Sequence, residues 1–488
     1  MLKGVVKGGG LILLSVILSK VFSLLYVPIL ARVLGPDGLG LYNLSLTLLP
    51  WVVTLASLSL STIIAQSVAE HYGKRDLPVI ITTYLFFTVL LSIFGGVVHL
   101  AFAKTIALQL FHSTEILSYL RLASAGVALS IMYNATLGVA RGFKEFALYV
   151  QMEVSKSFML VASGLFFLLV LEYFVQGALF AVILAPIFPI SYLLVKHRKY
   201  LTKNVKFAVL KPGITAGMWV TILSLFLTVM LTVGVFLLGI YSDPTMVGLY
   251  AAIAALMTTM GLIPASFKGS VLPYISDNFT NKNAICSMMQ RLVSYTLILV
   301  SMALLVLISF RKEIILLLFG KEFLPSVAIV PVLGLTLLPF TIYTLTHSVI
   351  LDRRLVAHTT KKIFPVTLIA LALDVLLIKQ FAAVGAAFGV LISHSLVAAT
   401  YLHVMKKEFQ FSLRRLLALL LLSVVPLLAA LFLPASLFYR IPLFIVLFLF
   451  YSILVLRFQY VTKQEIILLS RTIKLVLARF TLFIRLRR

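Results

Sequence analysis

Pro36-Asp37-Gly38-Leu39-Gly40-Leu41-Tyr42 and Pro244-Thr245-Met246-Val247-Gly248-Leu249-Tyr250 are one short pattern written twice, 208 residues apart. Proline opens both copies and Gly-Leu-Tyr closes them. The same offset relates Lys74 to Lys282, and Ile106, Leu108, Leu110 and Phe111 to Ile314, Leu316, Leu318 and Phe319. It also relates Gly126 to Gly334, and Gly177, Ala178, Phe180 and Val182 to Gly385, Ala386, Phe388 and Val390. Leucine and alanine coincidences carry little weight in an apolar chain. Those of Pro, Gly, Tyr and Lys in connecting segments do carry weight. A self-match at constant offset marks a duplicated unit, and what fills the 208 residues decides the fold.

Apolar helix fills them. The chain has 488 residues, 62% hydrophobic and 11% charged, with a mean hydropathy of +1.13. Soluble domains carry about 25% charged residues, so most of this surface cannot face water. A bilayer crossing takes roughly 20 apolar residues. Apolar runs between charged or turn-rich breaks give fourteen candidate spans: 8–30, 41–68, 78–101, 116–138, 147–171, 174–195, 214–240, 247–273, 291–310, 326–350, 363–380, 384–404, 414–433 and 439–456. Their length and lack of strict alternation favour helices over barrel strands. The first run starts behind Lys3 and Lys7 and passes Tyr26 without a small-residue cleavage site, so it reads as a retained span.

The offset covers six spans. An even number brings both copies into the membrane with the same polarity, as parallel repeats about an axis along the membrane normal. The expected fold class is an all-α polytopic membrane protein. Residues 1–210 form one six-helix lobe, 211–405 a second, and 406–460 two added helices; 461–488 form a basic tail. Two similar lobes facing each other supply what alternating access requires.

The net charge is +26, from 41 basic and 15 acidic residues. With the N-terminus in the cytoplasm, the inner side receives Lys74 and Arg75, Arg141 and Lys144, a run from Lys196 to Lys211, Arg353 to Lys362, Lys406 to Arg415, and the tail after Arg457. The outer side keeps chiefly Arg32, Lys104, Arg311, Lys312, Lys321, Lys379 and Arg440. This is the positive-inside pattern of a cytoplasmic membrane protein with both termini inside. Because the cations are spread over many loops, they do not indicate a nucleic-acid partner.

In the tail, Thr462 and Glu465 have capping-box spacing. Ile466, Leu469, Ile473, Leu477, Phe480 and Ile484 then follow helical spacing opposite Arg471, Lys474, Arg485 and Arg488. The pattern fits an interfacial helix on an anionic leaflet, or a helix for a partner protein.

Ionisable residues inside spans cost roughly 2.5–3.5 kcal/mol each near the bilayer centre, so they point to function or to pairing. Lys20 lies midway along the first span and Lys268 well inside the eighth. Neither has a carboxylate at helical spacing. Facing a cavity between the lobes, the two would favour an anionic headgroup such as a phosphate. Arg32 closes the first span on the outer side, where it either snorkels to the interface or joins the cavity cations. Glu153 and Lys156 are three apart, which permits a structural ion pair or a charged site. Asp374, in the eleventh span, either pairs with one of the lysines or binds a coupling ion, Na+ or H+. Prolines 28, 50, 186, 189, 264, 331 and 339 fall inside spans and can bend them.

Enzyme chemistry finds no constellation. There is no Gly-rich phosphate loop followed by Lys-Ser or Lys-Thr. The eight histidines are scattered, and the single Cys286 offers neither a disulfide nor a thiolate pair. No cofactor or metal is expected, and a monomer is the default for this architecture.

The stretch from Ala31 to Tyr42, after one apolar helix, resembles the opening signature of polysaccharide and lipid-oligosaccharide flippases of the multidrug/oligosaccharidyl-lipid/polysaccharide exporter superfamily. Ala69-Glu70-His71-Tyr72-Gly73-Lys74 is similar to the cytoplasmic end of their second helix, and Ile314–Glu322 to the segment before their tenth. The nearest branch looks like the stage V sporulation protein B and O-antigen flippase group, with the lipid II flippases as close relatives. The resemblance implies two six-helix bundles in a V, a cationic central cavity, and a lipid-linked sugar as substrate, carried on a polyprenyl pyrophosphate. In lipid II flippases, cavity cations on the first and eighth helices matter, and Lys20 and Lys268 stand at comparable places. Where relatives often have arginine this chain has lysine, which attracts phosphate as a point charge without bidentate contact. A drug or cation antiporter of the same fold is the alternative and would place carboxylates in the cavity. A non-transporting scaffold for envelope synthesis is another.

Overall fold

The computed structural model describes residues 2–267, 281–350, 353–458 and Tyr460, and over residues 2–21, 23–24, 211–212, 214–216 and 353–354 the main chain alone. Among the described residues there is no strand. The first half runs α1 (Leu2–Leu46), α2 (Leu49–Ala56), α3 (Leu60–Glu70), α4 (Leu77–Thr105), α5 (Glu115–Gly142), α6 (Phe146–Leu165), α7 (Phe174–Leu184) and α8 (Ile187–Lys196). The second half runs α9 (Leu210–Tyr241), α10 (Pro244–Met260), α11 (Lys282–Ser309), α12 (Arg311–Leu318), α13 (Ile329–Leu335), α14 (Leu337–Ile350) and α15 (Arg353–Phe409). Two further helices follow, α16 (Leu413–Ala429) and α17 (Leu437–Arg457).

Twelve helical stretches among the described residues are long and apolar enough to cross a membrane, where apolar runs led to fourteen. Two of the twelve, Leu25–Glu70 and Leu355–Phe409, have 46 and 55 residues, more than twice what a crossing of about 20 requires. The helices α1 and α15 within them each carry a residue of non-helical backbone, Gly35 (φ 65) and Ala382 (φ 46). At Ala382 the chain folds back on itself. A methyl group on Gly385 would lie 2.0 Å from the Leu377 carbonyl oxygen, and one on Gly389 would lie 1.9 Å from Asp374 Oδ1. Residues on either side of Ala382 are thus packed as antiparallel helices. The protein is a multi-pass helical membrane protein.

Its packing follows bilayer rules. Large apolar side chains such as Phe94, Leu421 and Phe450 face outward, where lipid replaces water as the surrounding solvent. Buried hydroxyls turn back on their own helices: Thr88 Oγ1 donates to the Tyr84 carbonyl (2.8 Å), Ser301 to Leu297 (2.7 Å), Thr346 to Ile342 (2.8 Å) and Ser423 to Leu419 (2.9 Å). These four hydroxyls are satisfied without water, as the bilayer interior demands.

Several prolines mark helix breaks. Helices part at Thr47–Leu48 just before Pro50, at Ala185–Pro186, and at Thr336 shortly before Pro339, whereas α1 runs on through Pro28. A further break, at Ser57–Ser59, has neither proline nor glycine. Leu58 and Ser59 both take positive φ there, 46° and 56°. The Ser59 hydroxyl lies 2.8 Å from Thr221 Oγ1 on α9, so the break faces a helix of the other half.

The long helix α9 touches both halves. Toward its start, Gly213 and Gly217 pack on Ile63 and Tyr84 Oη donates to the Val209 carbonyl (3.3 Å). Leu210 shares a buried cluster with Leu60, Ile64, Tyr84 and Tyr133 of the first half. Farther along, Met230 accepts from Thr367 Oγ1 of α15 (3.6 Å).

Candidate substrate cavity

The two copies of the proline-to-tyrosine pattern lie against each other. A methyl group on Gly40 would stand 1.8 Å from the Pro244 carbonyl oxygen, and one on Gly248 would stand 1.8 Å from that of Pro36. The contact is main chain on main chain, and only glycine permits it. The equality of the two distances shows a local two-fold relation between the copies. Nearby, Gly239 packs on Leu44 and Phe111. We call this end of the molecule the Pro36 end.

Arg32 lies there too. Its Nε donates to the Leu318 carbonyl at 3.1 Å, and its Nη2 donates to the Leu317 carbonyl. These are the last carbonyls of α12, where the helix dipole presents partial negative charge to a cation. Gly35, three residues on, leaves room for Glu322, whose carboxylate oxygen would be 3.2 Å from any Cβ at that position. Arg32 therefore bridges from the first half to the second, at an exposed site.

Behind this crossing lies a cavity of about 320 Å³ between α1, α9, α10 and the end of α12. Val27, Asn43, Thr232, Tyr250, Thr258 and Thr259 contribute to its wall. The Asn43 amide donates to the Leu39 carbonyl (2.8 Å), and Thr232 Oγ1 accepts from Trp51 Nε1 (2.5 Å). Trp51 also packs edge-on against Phe236 (5.2 Å between ring centres), which fixes the wall between α2 and α9. The described lining is apolar with hydroxyls and one amide, and contains neither carboxylate nor cation.

The charged residues singled out in the sequence fall in different places. Lys268 lies outside the described residues, and at Lys20 the main chain alone is described. Position 20 is seven residues from Val27 on α1, two helical turns away. Glu153 and Lys156 lie together on α6, and Tyr133 of α5 joins them. Tyr133 Oη donates to Glu153 Oε1 at 2.9 Å, and Lys156 Nζ lies 4.2 Å from the centre of the Tyr133 ring. The neighbouring Arg141 donates to Ser61 Oγ (2.5 Å) and lies 6.0 Å from the Tyr149 ring centre. The spacing of Glu153 and Lys156 could not reveal the tyrosine, which comes from another helix.

Asp374 is 1% exposed, packed against Gly389 across the Ala382 fold-back. Ser393 is its polar neighbour, yet neither carboxylate oxygen completes a hydrogen bond, and neither does the Ser393 hydroxyl. A buried carboxylate in that condition is costly and belongs to a site or to a strained core. Among the described residues, no three His, Cys, Asp or Glu side chains gather in the manner of a metal centre. The hydroxyl lining of the cavity escaped the sequence, because threonine is common in membrane helices. Tyr250 alone was marked, by the repeat.

A family model described as polysaccharide biosynthesis protein matches residues 5–279, more than half of the 488. The chain belongs to that family. Among curated proteins, this family member is similar to a putative O-antigen transporter of Shigella flexneri, 25% identical over 256 residues. The match covers 51% of this chain and 61% of that protein, so the chain spans less than two thirds of the relative's length. Among solved structures, the inward closed conformation of the lipid II flippase MurJ superposes with a TM-score of 0.67 at 15% identity, covering 91% of this chain and 98% of that one. A eukaryotic MATE transporter, AtDTX14, gives a TM-score of 0.62 at 13% identity over 83% and 95% of the two chains. An inward-facing MATE family transporter of the MOP superfamily gives 0.58 at 14% over 80% and 94%. The family member thus shares the fold of these solved structures.

Proposed function

We propose that this protein is a flippase that moves a polyprenyl-pyrophosphate-linked oligosaccharide across the cytoplasmic membrane by alternating access, and is not an enzyme. The observation that carries the reading is the glycine crossing of two duplicated helices in front of a cavity, in a member of the polysaccharide biosynthesis family. The O-antigen transporter and lipid II flippase among its relatives support a lipid-linked sugar as cargo. The repeat supports residues 1–210 and 211–405 as the two moving lobes, with the crossing as their pivot. Basic residues at the end opposite Pro36, among them Lys196 and Lys199, support that end as cytoplasmic and both termini as inside. The Pro36 end is then the outer side, and Arg32 on the α12 carbonyls holds it shut.

Lys20, two turns from the cavity wall, and Lys268 supply the positive charge for the pyrophosphate in this reading, while the lipid tail stays in the bilayer. A drug or cation antiporter would draw on cavity carboxylates. The described lining carries no charge of either sign, and the anionic cargo rests on the relatives and on the two lysines. The test is flipping of a fluorescent polyprenyl-pyrophosphate sugar in proteoliposomes. Lys20→Glu abolishes it with the folded protein intact; full activity in that variant removes the lysine from the site.

Asp374 is the proposed coupling-ion residue, because a buried carboxylate with only a serine hydroxyl beside it suits Na+ or H+. Asp374→Asn removes the dependence of flipping on the ion gradient while raising thermal stability by about 1–3 kcal/mol, the relief of an unsatisfied buried carboxylate. Unchanged gradient dependence would set Asp374 down as structural.

A further inference from the structure

Tyr250 of α10 belongs to the wall of the cavity behind the crossing, yet it is only 3% exposed. Its side chain reaches back from that wall into the second half, through a place that Gly234 of α9 leaves open. A methyl group on Gly234 would stand 3.0 Å from Tyr250 Oη and 3.6 Å from Val390 Cγ2 of α15. The phenol oxygen is thus lodged where α9 has no side chain, facing α15. Val390 directly follows Gly389, the residue on which Asp374 packs. Asp374 is within electrostatic reach of the Tyr250 hydroxyl. Thr232 and Val235, on either side of Gly234 along α9, line the cavity. One side chain therefore connects the cavity wall with the surroundings of the buried carboxylate.

The duplication supplies an internal comparison. By the 208-residue offset Tyr250 corresponds to Tyr42, but Gly234 corresponds to Tyr26, Asp374 to Phe166 and Ser393 to Ala185. In the first half a tyrosine occupies the position where α9 has its gap, and it packs on Gly164 of α6. A tyrosine that served packing alone would be content with either arrangement. Only the second half combines the gap, the carboxylate and the serine. The three differences belong together if a phenol hydroxyl has to answer to a charge.

We propose that Tyr250 is the positioning residue that passes the charge state of Asp374 to the cargo cavity, its hydroxyl moving through the gap at Gly234. The inference rests on the coupling reading of Asp374 given above and adds the route from ion to cavity. A carboxylate in apolar surroundings gains most from a donor it can reach, and hydrogen bonds to ionised groups are about twice as strong as neutral ones. An ionised Asp374 draws the phenol O–H toward α15 and the ring away from the cavity wall. Once a proton or a cation neutralises the carboxylate, the pull fades and the ring settles back into the wall. The two positions form a two-state element that the ion biases.

The experiment needs no cargo. The full-length chain carries Cys286→Ser, and thiol labelling of Asn43→Cys, in the wall of the same cavity, reports how far that wall is closed. The buffer is alkaline and sodium-free, so that Asp374 carries its charge. Asp374→Asn removes the charge and should slow labelling roughly tenfold, the population change that a hydrogen bond to a charged group supports. Tyr250→Phe keeps the ring and drops the hydroxyl, and it should erase the difference that Asp374→Asn makes. Gly234→Ala blocks the gap from the other side and should erase it too. Tyr42→Phe, the counterpart in the first half, should leave the difference in place. Melting curves in detergent check that each variant is folded, and Tyr250→Phe and Gly234→Ala test the same path independently. Labelling indifferent to Asp374→Asn overturns the proposal. So does a response to Asp374→Asn that is undiminished by Tyr250→Phe. Gradient dependence of flipping judges the coupling reading separately. Its loss in Asp374→Asn with labelling unchanged sinks the tyrosine route alone. A labelling response with gradient dependence intact supports the route and removes Asp374 as the coupling residue.

Discussion

Residues 36–42 and 244–250 descend from one pattern, and their surroundings have diverged. The first copy is reached through Gly35, whose backbone (φ 65, ψ −178) joins it directly to the helix before it. The second is reached through Ser242 and Asp243 in extended conformation, and Asp243 caps the new helix by accepting from the Met246 amide at 2.8 Å. Beyond the first copy the helix breaks at Thr47–Leu48 and again at Ser57–Ser59; beyond the second it runs unbroken to Met260. Arg32 precedes the first copy and reaches across to α12. Its counterpart by the 208-residue offset is Ile240, which can make no such bond. What stayed the same is the glycine at the crossing. The means of starting the helix, and of bracing it, proved exchangeable, whereas the close approach of two main chains did not.

The strongest way to break this comparison is to put a side chain at the crossing. Gly40→Ala and Gly248→Ala each force a methyl group onto a carbonyl oxygen of the other copy, at a cost of about 3 kcal/mol. Thermal unfolding in detergent should show equal losses for the two. A clear inequality would mean that the two-fold relation is only apparent.

The helix starts give the next largest effect and sharpen the contrast. Gly35→Ala places a Cβ in backbone territory that is nearly glycine's alone, at a cost of about 2 kcal/mol. Asp243→Ala removes a cap at a cost of about 1 kcal/mol. The order of the two losses on unfolding tests whether strain or capping carries the turn.

Arg32→Gln should have the smallest effect on stability, below about 1 kcal/mol, since the guanidinium is exposed and screened. Its signature is accessibility. In a Cys286→Ser background, thiol labelling of Asn43→Cys, in the cavity wall, should rise by up to about fivefold, the population change that 1 kcal/mol allows. No change would show that the crossing alone keeps this end closed.

Much of this was legible in residues alone. Span positions follow from apolar runs between charges, and the offset marked Gly40 and Gly248 as equivalents, since proline, glycine and tyrosine rarely coincide by accident; their contact came only with the structure. Pro50, Pro186 and Pro339 pointed to helix breaks because each removes a backbone donor. The break at Leu58–Ser59 was hidden, for it lies in a leucine-serine run that reads as continuous helix, and its partner Thr221 is remote in sequence. Asp374 was conspicuous as an acid within a span. The reversal at Ala382 falls in the break expected between residues 380 and 384, but the contact of Asp374 with Gly389 depends on how the two helices pack across it.

The crossing of Gly40 over Gly248 has a wider consequence. A bearing made of bare peptide groups has the same shape whatever decorates the chamber behind it. On the pivot reading proposed above, descendants of this architecture can exchange the residues that grip their cargo without refitting the axle. One machine can then be adapted to chemically distant loads while its moving joint stays untouched.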